Sequence, residues 1–412
     1  MFDLHSNLRR VRTGWLLLLG LASVFALMYL GSTLFPGAID PATSKYFSLT
    51  LAEKARIYSF PPRILYIIRF LLQIILLVWL LFSSGGKSLF QRIRKIGRHY
   101  WLVSGLSILC VWFLMHLLSL PFSYYTGFYW QKIWGFSTQS QTAWWLDYLK
   151  NSGIDLLIYL AGGFIFFFLV NRVTRYWWLV GASLFSIWLV VEYLCWPILI
   201  SPLFNQFEPI SNPVVVTMVD NLAQQAGLHI SGVFVMDASR QTTLANAYFT
   251  GIGTTKRIVI YDTLLRNYTF PEVQAVIAHE MGHWRYNDVI HGLFFGMVGG
   301  FTVLGLLKFL LKPWLPGNDK KPPELWAALQ MALLLLLFVS NPLQNAVSRE
   351  MELRADRFSL ELTGNLSAEI QLQKDLASTS LTDFSPPSFI VWFSYDHPPS
   401  LTRIHALEKA HF

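Results

Sequence analysis

His279 and His283 stand four residues apart in A-V-I-A-H-E-M-G-H-W-R-Y-N-D (Ala275–Asp288), with Glu280 beside the first. On a helix, residues four apart share a face, so the two imidazoles can converge on one ion. Zinc accepts such nitrogens at about 2.0–2.1 Å. Glu280 is then placed to reach a water at the ion rather than the ion itself, and the small Gly282 leaves room close by. The chemistry would be hydrolysis. An ordinary surface helix can carry the same letters by chance. The pattern therefore requires a third ligand and an open fourth position, which a catalytic zinc keeps for water.

A candidate third ligand lies in N-A-V-S-R-E-M-E-L-R-A-D-R-F (Asn345–Phe358), where Glu352 and Asp356 are again four apart on an expected helix. Two apolar runs separate this segment from His283. If both cross a membrane, they form a hairpin that returns Glu352 to the face the chain left. Asp356, one turn on, is then suited to accept the outer N–H of a ligand histidine. The competing reading is a charged amphipathic helix in which Arg349, Arg354 and Arg357 pair with its own acids.

The elements that must position these groups are largely apolar. Of 412 residues, 54% are hydrophobic and 14% charged, against about 25% charged in an average soluble domain; the mean hydropathy is +0.43. Seven runs approach the roughly 20 apolar residues that a membrane helix needs: Gly14–Leu34, Ile64–Phe82, Trp101–Pro121, Ile154–Val170, Trp177–Ile200, Val289–Leu311 and Leu325–Asn341. The first is read as a retained span rather than a cleaved signal, because its core is long and no small-x-small site follows. Arg69 and Asp155 are expected near span ends, where they can snorkel, and His116 and Glu192 in a wet interior. The net charge of +8 comes from clusters flanking these runs, such as Arg9, Arg10 and Arg12, then Lys87, Arg92, Arg94, Lys95 and Arg98 in a loop after the second run. Basic flanks of this kind set orientation and meet lipid headgroups, so no nucleic-acid partner is expected. Cys110 and Cys195 lie inside apolar runs and read as packing residues.

Ser201–Asn287 is not membrane-like. It holds the β-rich runs Val233–Asp237, Asn246–Gly251 and Arg257–Asp262, the last two joined by a short Gly/Thr/Lys loop as a hairpin. Thr269 with Glu272 and Pro271 forms a capping-box signature, so His279 should lie a few turns into a helix. That helix is expected to run on from His283 into the sixth span. Short-loop Lys and Arg favour a cytoplasmic N-terminus, and seven spans then place both soluble stretches on the opposite side.

These motifs, in order, resemble the type I CAAX prenyl proteases, integral-membrane zinc metallopeptidases of the gluzincin class. The resemblance rests on N-A-Y-F-T-G, K-R-I-V-I-Y-D-T-L-L (Lys256–Leu265), H-E-M-G-H-W, S-R-E-M-E-L-R-A-D, D-H-P-P-S-L-T-R-I (Asp396–Ile404) and P-L-F-N-Q-F-E-P (Pro202–Pro209). It implies one zinc held by His279, His283 and Glu352, Glu280 as general base, and Asp356 as the acid supporting the site. It also implies His397 and Arg403 near the substrate, with His397 facing the oxyanion. Asn246, with Ala247 and Tyr248, falls on an edge strand that pairs with an extended peptide. The fold implied is mainly α: about seven transmembrane helices enclosing a chamber, and a metalloprotease part with a small β-hairpin or sheet.

Four segments follow. Residues 1–200 carry spans one to five, and 201–288 form the soluble segment with the edge strand and motif helix. Residues 289–341 make the helical hairpin, and 342–412 the C-terminal segment with the third ligand. The expected partners are a peptide or protein substrate, lipidated or membrane-associated, and the lipid bilayer. The chain ends A-H-F, without a retrieval signal, which with the charge pattern suggests a bacterial inner membrane. The other readings are a polytopic transporter or channel, or a non-catalytic membrane scaffold, with an incidental H-E-x-x-H.

Overall fold

The computed structural model describes residues 2–410 apart from 98, 252–255 and 316–319, with side chains from Arg10 onward. The side chain of Arg9, Arg98 and the loop expected between the hairpin strands fall outside the described residues. The N-terminal half is a succession of long helices: α1 (Phe2–Leu34), α2 (Leu49–Phe82), α3 (Ser84–Ile96), α4 (Tyr100–Tyr124), α5 (Trp130–Ile133), α6 (Gln141–Arg172) and α7 (Trp177–Cys195). Ser48 and Ser140 start α2 and α6 by accepting hydrogen bonds from Leu51 and Ala143 N–H groups, satisfying donors that a helix start leaves free. A π-helical turn, Tyr125–Tyr129, joins α4 to α5.

Two expectations change here. The basic stretch after the second span is not a loop but helix α3, with Gly86, Phe90 and Ile93 buried on one face and Lys87, Arg92, Arg94 and Lys95 exposed. Its four- and three-residue apolar spacing is that of an amphipathic helix. Arg69 and Asp155, expected near span ends, sit near the middle of 34- and 32-residue helices. Asp155 has partners there: Trp112 Nε1 donates to its Oδ2 at 2.8 Å, and the Trp112 ring stacks on His116 at 4.2 Å.

The soluble part is built on a four-stranded sheet: β1 (Phe207–Pro209), β2 (Gly232–Met236), β3 (Ala247–Thr250) and β4 (Arg257–Tyr261), in the order β1-β2-β4-β3. β2 and β4 run parallel, whereas β3 and β4 form the expected hairpin, with Ala247 opposite Ile260 and Thr250 opposite Arg257. β3 pairs on one side only, so it is an edge strand. Helix α8 (Pro213–Ala226), the short α9 (Asp262–Asn267) and α10 (Phe270–Arg285) follow the chain order around the sheet. Val215, Val219, Ile258, Ile260, Val273 and Ile277 form a core between one sheet face, α8 and α10. α10 starts with the expected capping box, the Thr269 N–H donating to Glu272 Oε2 at 2.7 Å.

α10 does not run on into the sixth span. It ends at Arg285, and α11 (Asp288–Leu310) begins after a turn in which Asn287 has φ +56°. Asn is among the few non-glycine residues that tolerate this left-handed geometry. α12 (Leu325–Thr363) follows, then α13 (Leu366–Ser380), α14 (Ser388–Ser394) and α15 (Ser400–Ala410). Among the described residues, seven helices are long and apolar enough to cross a membrane. α12 passes through Pro342 without a break. Its 39 residues span about 58 Å at 1.5 Å per residue, so its C-terminal turns carry Glu352 and Asp356 beyond the length a bilayer core requires. There they pack against α10. A Cβ on Gly282 would meet the Cα of Ala355 at 3.0 Å, so the glycine permits this close helix crossing rather than merely leaving space at the site.

Candidate metal centre

Helix α10 projects His279 and His283 from one face, and α12 brings Glu352 across to them. His279 Nε2 lies 3.2 Å from His283 Nε2. Glu352 Oε2 lies 3.3 Å from His279 Nε2, and Glu352 Oε1 lies 3.3 Å from His283 Nε2. Ligands bound tetrahedrally at about 2.0–2.1 Å are separated by roughly 3.3–3.4 Å. The two histidine nitrogens stand about that far apart and each has one Glu352 oxygen at that separation, so the donor set fits a zinc ion. Glu352 Oε2 is also a buried oxygen with no hydrogen-bond partner, and buried polar atoms are rarely left so. These three residues form a group able to hold a metal.

The other nitrogen of each histidine is fixed from outside. His279 Nδ1 lies 2.9 Å from Asp356 Oδ1, one turn beyond Glu352 as its spacing requires. Arg403 on α15 then grips Asp356, with Nε 2.7 Å from Oδ2 and Nη2 2.5 Å from Oδ1. His283 Nδ1 lies 2.9 Å from Asp288 Oδ2, and Asp288 in turn pairs with Arg354, whose guanidinium sits 4.5 Å from the Tyr286 ring centroid. Asp288 and Arg354 were not singled out as site residues from sequence. Asp288 closes the opening stretch, but only the turn at Asn287 aims it back at His283. Of the three arginines expected to pair within their own helix, Arg354 instead reaches α11. Arg349 donates to the carbonyls of Val391 and Tyr395 at 3.0 and 2.6 Å.

The cage is rich in anions. Burial disfavours a charged His279, yet Asp356 and Glu352 overcome this and raise its pKa to about 10. His283 rises to about 9, burial again being outweighed, here by Asp288 and Glu352. Carboxylates so placed favour cationic charge at the two imidazoles or between them. Arg403 is likewise held above its ordinary value, burial notwithstanding, by Asp356.

Glu280 follows His279 on α10 and has no hydrogen bond or ion pair among the described residues. Burial raises its pKa, against the pull of the two histidines. His397, in the turn before α15, points Nε2 at Glu352 Oε1 from 3.4 Å, and its Nδ1 lies 2.9 Å from Asp396. Its side chain is 57% exposed, whereas that of Arg403 is 12% exposed. Hence His397 faces the open side of the cluster, while Arg403 backs it. Asn246 precedes β3, its Oδ1 accepting from the Ala247 N–H at 2.9 Å, and Ala247 and Tyr248 begin the edge strand. No hydrogen bond links these three to the histidines among the described residues.

The chain is similar to known proteins over most of its length. The model of peptidase family M48 matches residues 209–411, and the model for the CAAX prenyl protease N-terminal region, five membrane helices, matches residues 30–206. The chain is 30% identical over 392 residues to the uncharacterized metalloprotease YhfN of Bacillus subtilis, covering 92% of this chain and 91% of that one. It is 30% identical over 311 residues to a CAAX prenyl protease 1 homolog of Oryza sativa, covering 71% and 70%. Its fold matches the crystal structure of S. mikatae Ste24p with a TM-score of 0.76 at 20% identity, over 97% of this chain and 98% of that one.

Proposed function

The chain belongs to peptidase family M48 and is an integral-membrane zinc metalloprotease of the CAAX prenyl protease type; from this premise we propose how its own residues carry out peptide-bond hydrolysis. One zinc per chain is held by His279, His283 and Glu352. The observation that carries this assignment is the convergence of both Nε2 atoms, 3.2 Å apart, on the Glu352 carboxylate, each with one of its oxygens at 3.3 Å. When bound, zinc supplies Lewis-acid polarisation of the scissile carbonyl and lowers the pKa of water at its open position. A peptidase family replaces the transporter reading of the same spans.

Glu280 is the general base. Its unpaired carboxylate, beside the ligand face, takes a proton from the attacking water and delivers it to the leaving amine. Its burial, which raises its basicity, supports this role. Asp356 and Asp288 hold the His279 and His283 rings so that both Nε2 atoms face inward. Arg403 secures Asp356. His397, on the open side, donates to the oxygen that gains charge as the carbonyl is attacked, a contribution of typically a few kcal/mol. Asn246, Ala247 and Tyr248 pair with the substrate backbone along the free edge of β3, which binds an extended peptide with little dependence on sequence.

We assign the substrate class as peptides or membrane-associated proteins, lipidated ones among them, presented in extended form. The membrane is the bacterial inner membrane, with the N-terminus cytoplasmic and the metal centre on the other side, as the short-loop charge favours. The reaction is tested on purified protein by zinc analysis and peptide cleavage, with Glu280→Gln alongside. One zinc in both forms with cleavage in the wild type alone is expected; undiminished cleavage by the variant would refute the base. Orientation is tested by labelling Gln225→Cys, an exposed α8 position, in a chain lacking Cys110 and Cys195. Labelling by an impermeant reagent in intact spheroplasts is expected, and labelling only after lysis would reverse the topology.

A further inference from the structure

Beside the edge strand, on the sheet face turned away from α10, lies a cavity of about 620 Å³ lined by Glu192, Tyr193, Trp196, Asn205, Tyr248 and Tyr261 among others. Its floor comes from the C-terminal end of α7, which is tied to the strand by the Tyr193 hydroxyl donating to Gly251 O at 3.4 Å. Glu192 lies within an apolar candidate span, half-buried, and makes no ion pair among the described residues. An acid in such a helix is costly unless it meets a partner or water. Arg257, which reaches the turn just after α7, is committed to the Pro197 carbonyl at 3.3 Å and to the Phe234 ring. The cavity thus combines one unpaired carboxylate with four aromatic rings. Ring faces and a carboxylate both attract cations.

The position of Tyr248 connects this cavity to the substrate. Side chains of a strand alternate between faces. Tyr248 packs with Met236, Val259 and Tyr261 on the cavity side, whereas Phe249 turns to the α10 side and meets Trp284 at 4.8 Å between ring centroids. A peptide paired with β3 repeats that alternation, so every second substrate side chain falls over the cavity. We propose that this cavity is a specificity pocket for a lysine or arginine side chain of the substrate, with Glu192 as its counter-ion. The inference rests on the reading of β3 as the substrate-pairing strand.

The test uses full-length protein in a detergent free of aminolipids, with fluorogenic decapeptides in which one Lys, or Met at the same place, is walked through every position. At one position the wild type favours Lys over Met by about tenfold in kcat/KM. Glu192→Gln lowers kcat/KM on the Lys peptide about tenfold more than on the Met peptide, which removes the preference, and Glu192→Lys transfers the preference to a Glu-containing peptide. Retained Lys preference in Glu192→Gln, or an equal loss on both peptides, overturns the pocket. A wild type that cleaves all peptides with no Lys preference overturns the pocket alone, and one that cleaves none overturns the peptidase reading with it. Glu192-dependent binding of phosphatidylethanolamine vesicles with no Lys preference would assign the site to a lipid amine instead.

Discussion

Arg403 holds Asp356 with two parallel hydrogen bonds, Nε at 2.7 Å and Nη2 at 2.5 Å, while the same carboxylate faces His279 Nδ1 at 2.9 Å. Through this pair the penultimate turns of the chain fix the ring of a metal ligand. Removing the acid frees that ring: Asp356→Asn should weaken zinc binding by about 10–100-fold, read by chelator competition. Arg403→Ala should instead leave a buried carboxylate uncompensated and destabilise the fold by roughly 3–5 kcal/mol, read as a lowered Tm. Arg403→Lys, which lacks the planar fork, should rescue only partly.

Asp288 and Arg354 give His283 the same support from the other side. Asp288→Asn is expected to reduce zinc affinity about 10–100-fold without abolishing it. A zinc affinity equal to wild type would show that the left-handed turn at Asn287 serves only to redirect the chain.

How much of this was legible beforehand depended on the range of the signal. Helical spacing reads local geometry, so His279, His283, Glu352 and Asp356 could be placed on shared faces, and Thr269 with Glu272 located the start of α10. The hairpin of β3 and β4 also followed from its alternation. Asp288 could not be found this way, because its approach to His283 depends on one residue adopting φ +56°. Nor could the parallel pairing of β2 with β4, which is set by a crossover and not by adjacent sequence. Arg69 and Asp155 were misplaced because hydropathy marks the apolar core of a helix, not its ends. α2 begins at Leu49 and α6 at Gln141, well before their apolar runs.

Gly282 tests the helix crossing that delivers Glu352. Gly282→Ala would improve helix propensity by about 1 kcal/mol. Its Cβ, however, would stand 3.0 Å from Ala355 Cα and 3.3 Å from Ala355 O. Backbone atoms of a packed helix yield little, so overpacking of about 1–3 kcal/mol should prevail. A lowered Tm and weaker zinc retention are expected; a raised Tm would mean the helices separate freely.

Glu369 offers a test by pH. Burial raises its pKa to about 7. Ser359 Oγ lies 2.8 Å from Ala275 O and 2.5 Å from Glu369 Oε1. A hydroxyl has one proton, so if it donates to the carbonyl, Glu369 must donate to it in the neutral form. A carboxyl raised above its unfolded value binds its proton more tightly in the fold. Its contribution is therefore complete below about pH 4.5 and is lost as pH rises through about 7, by up to roughly 3 kcal/mol. The Tm of the wild type relative to Glu369→Gln should fall between pH 5 and pH 8; a difference independent of pH would contradict a neutral Glu369.

The central claim is the identity of the zinc ligands, and X-ray absorption at the zinc edge of the purified protein tests it most directly. One zinc per chain is expected, with two imidazole nitrogens and one carboxylate oxygen at about 2.0–2.1 Å, and loss of the carboxylate contribution in Glu352→Ala. A spectrum unchanged by Glu352→Ala, or one dominated by sulfur ligands, would contradict it.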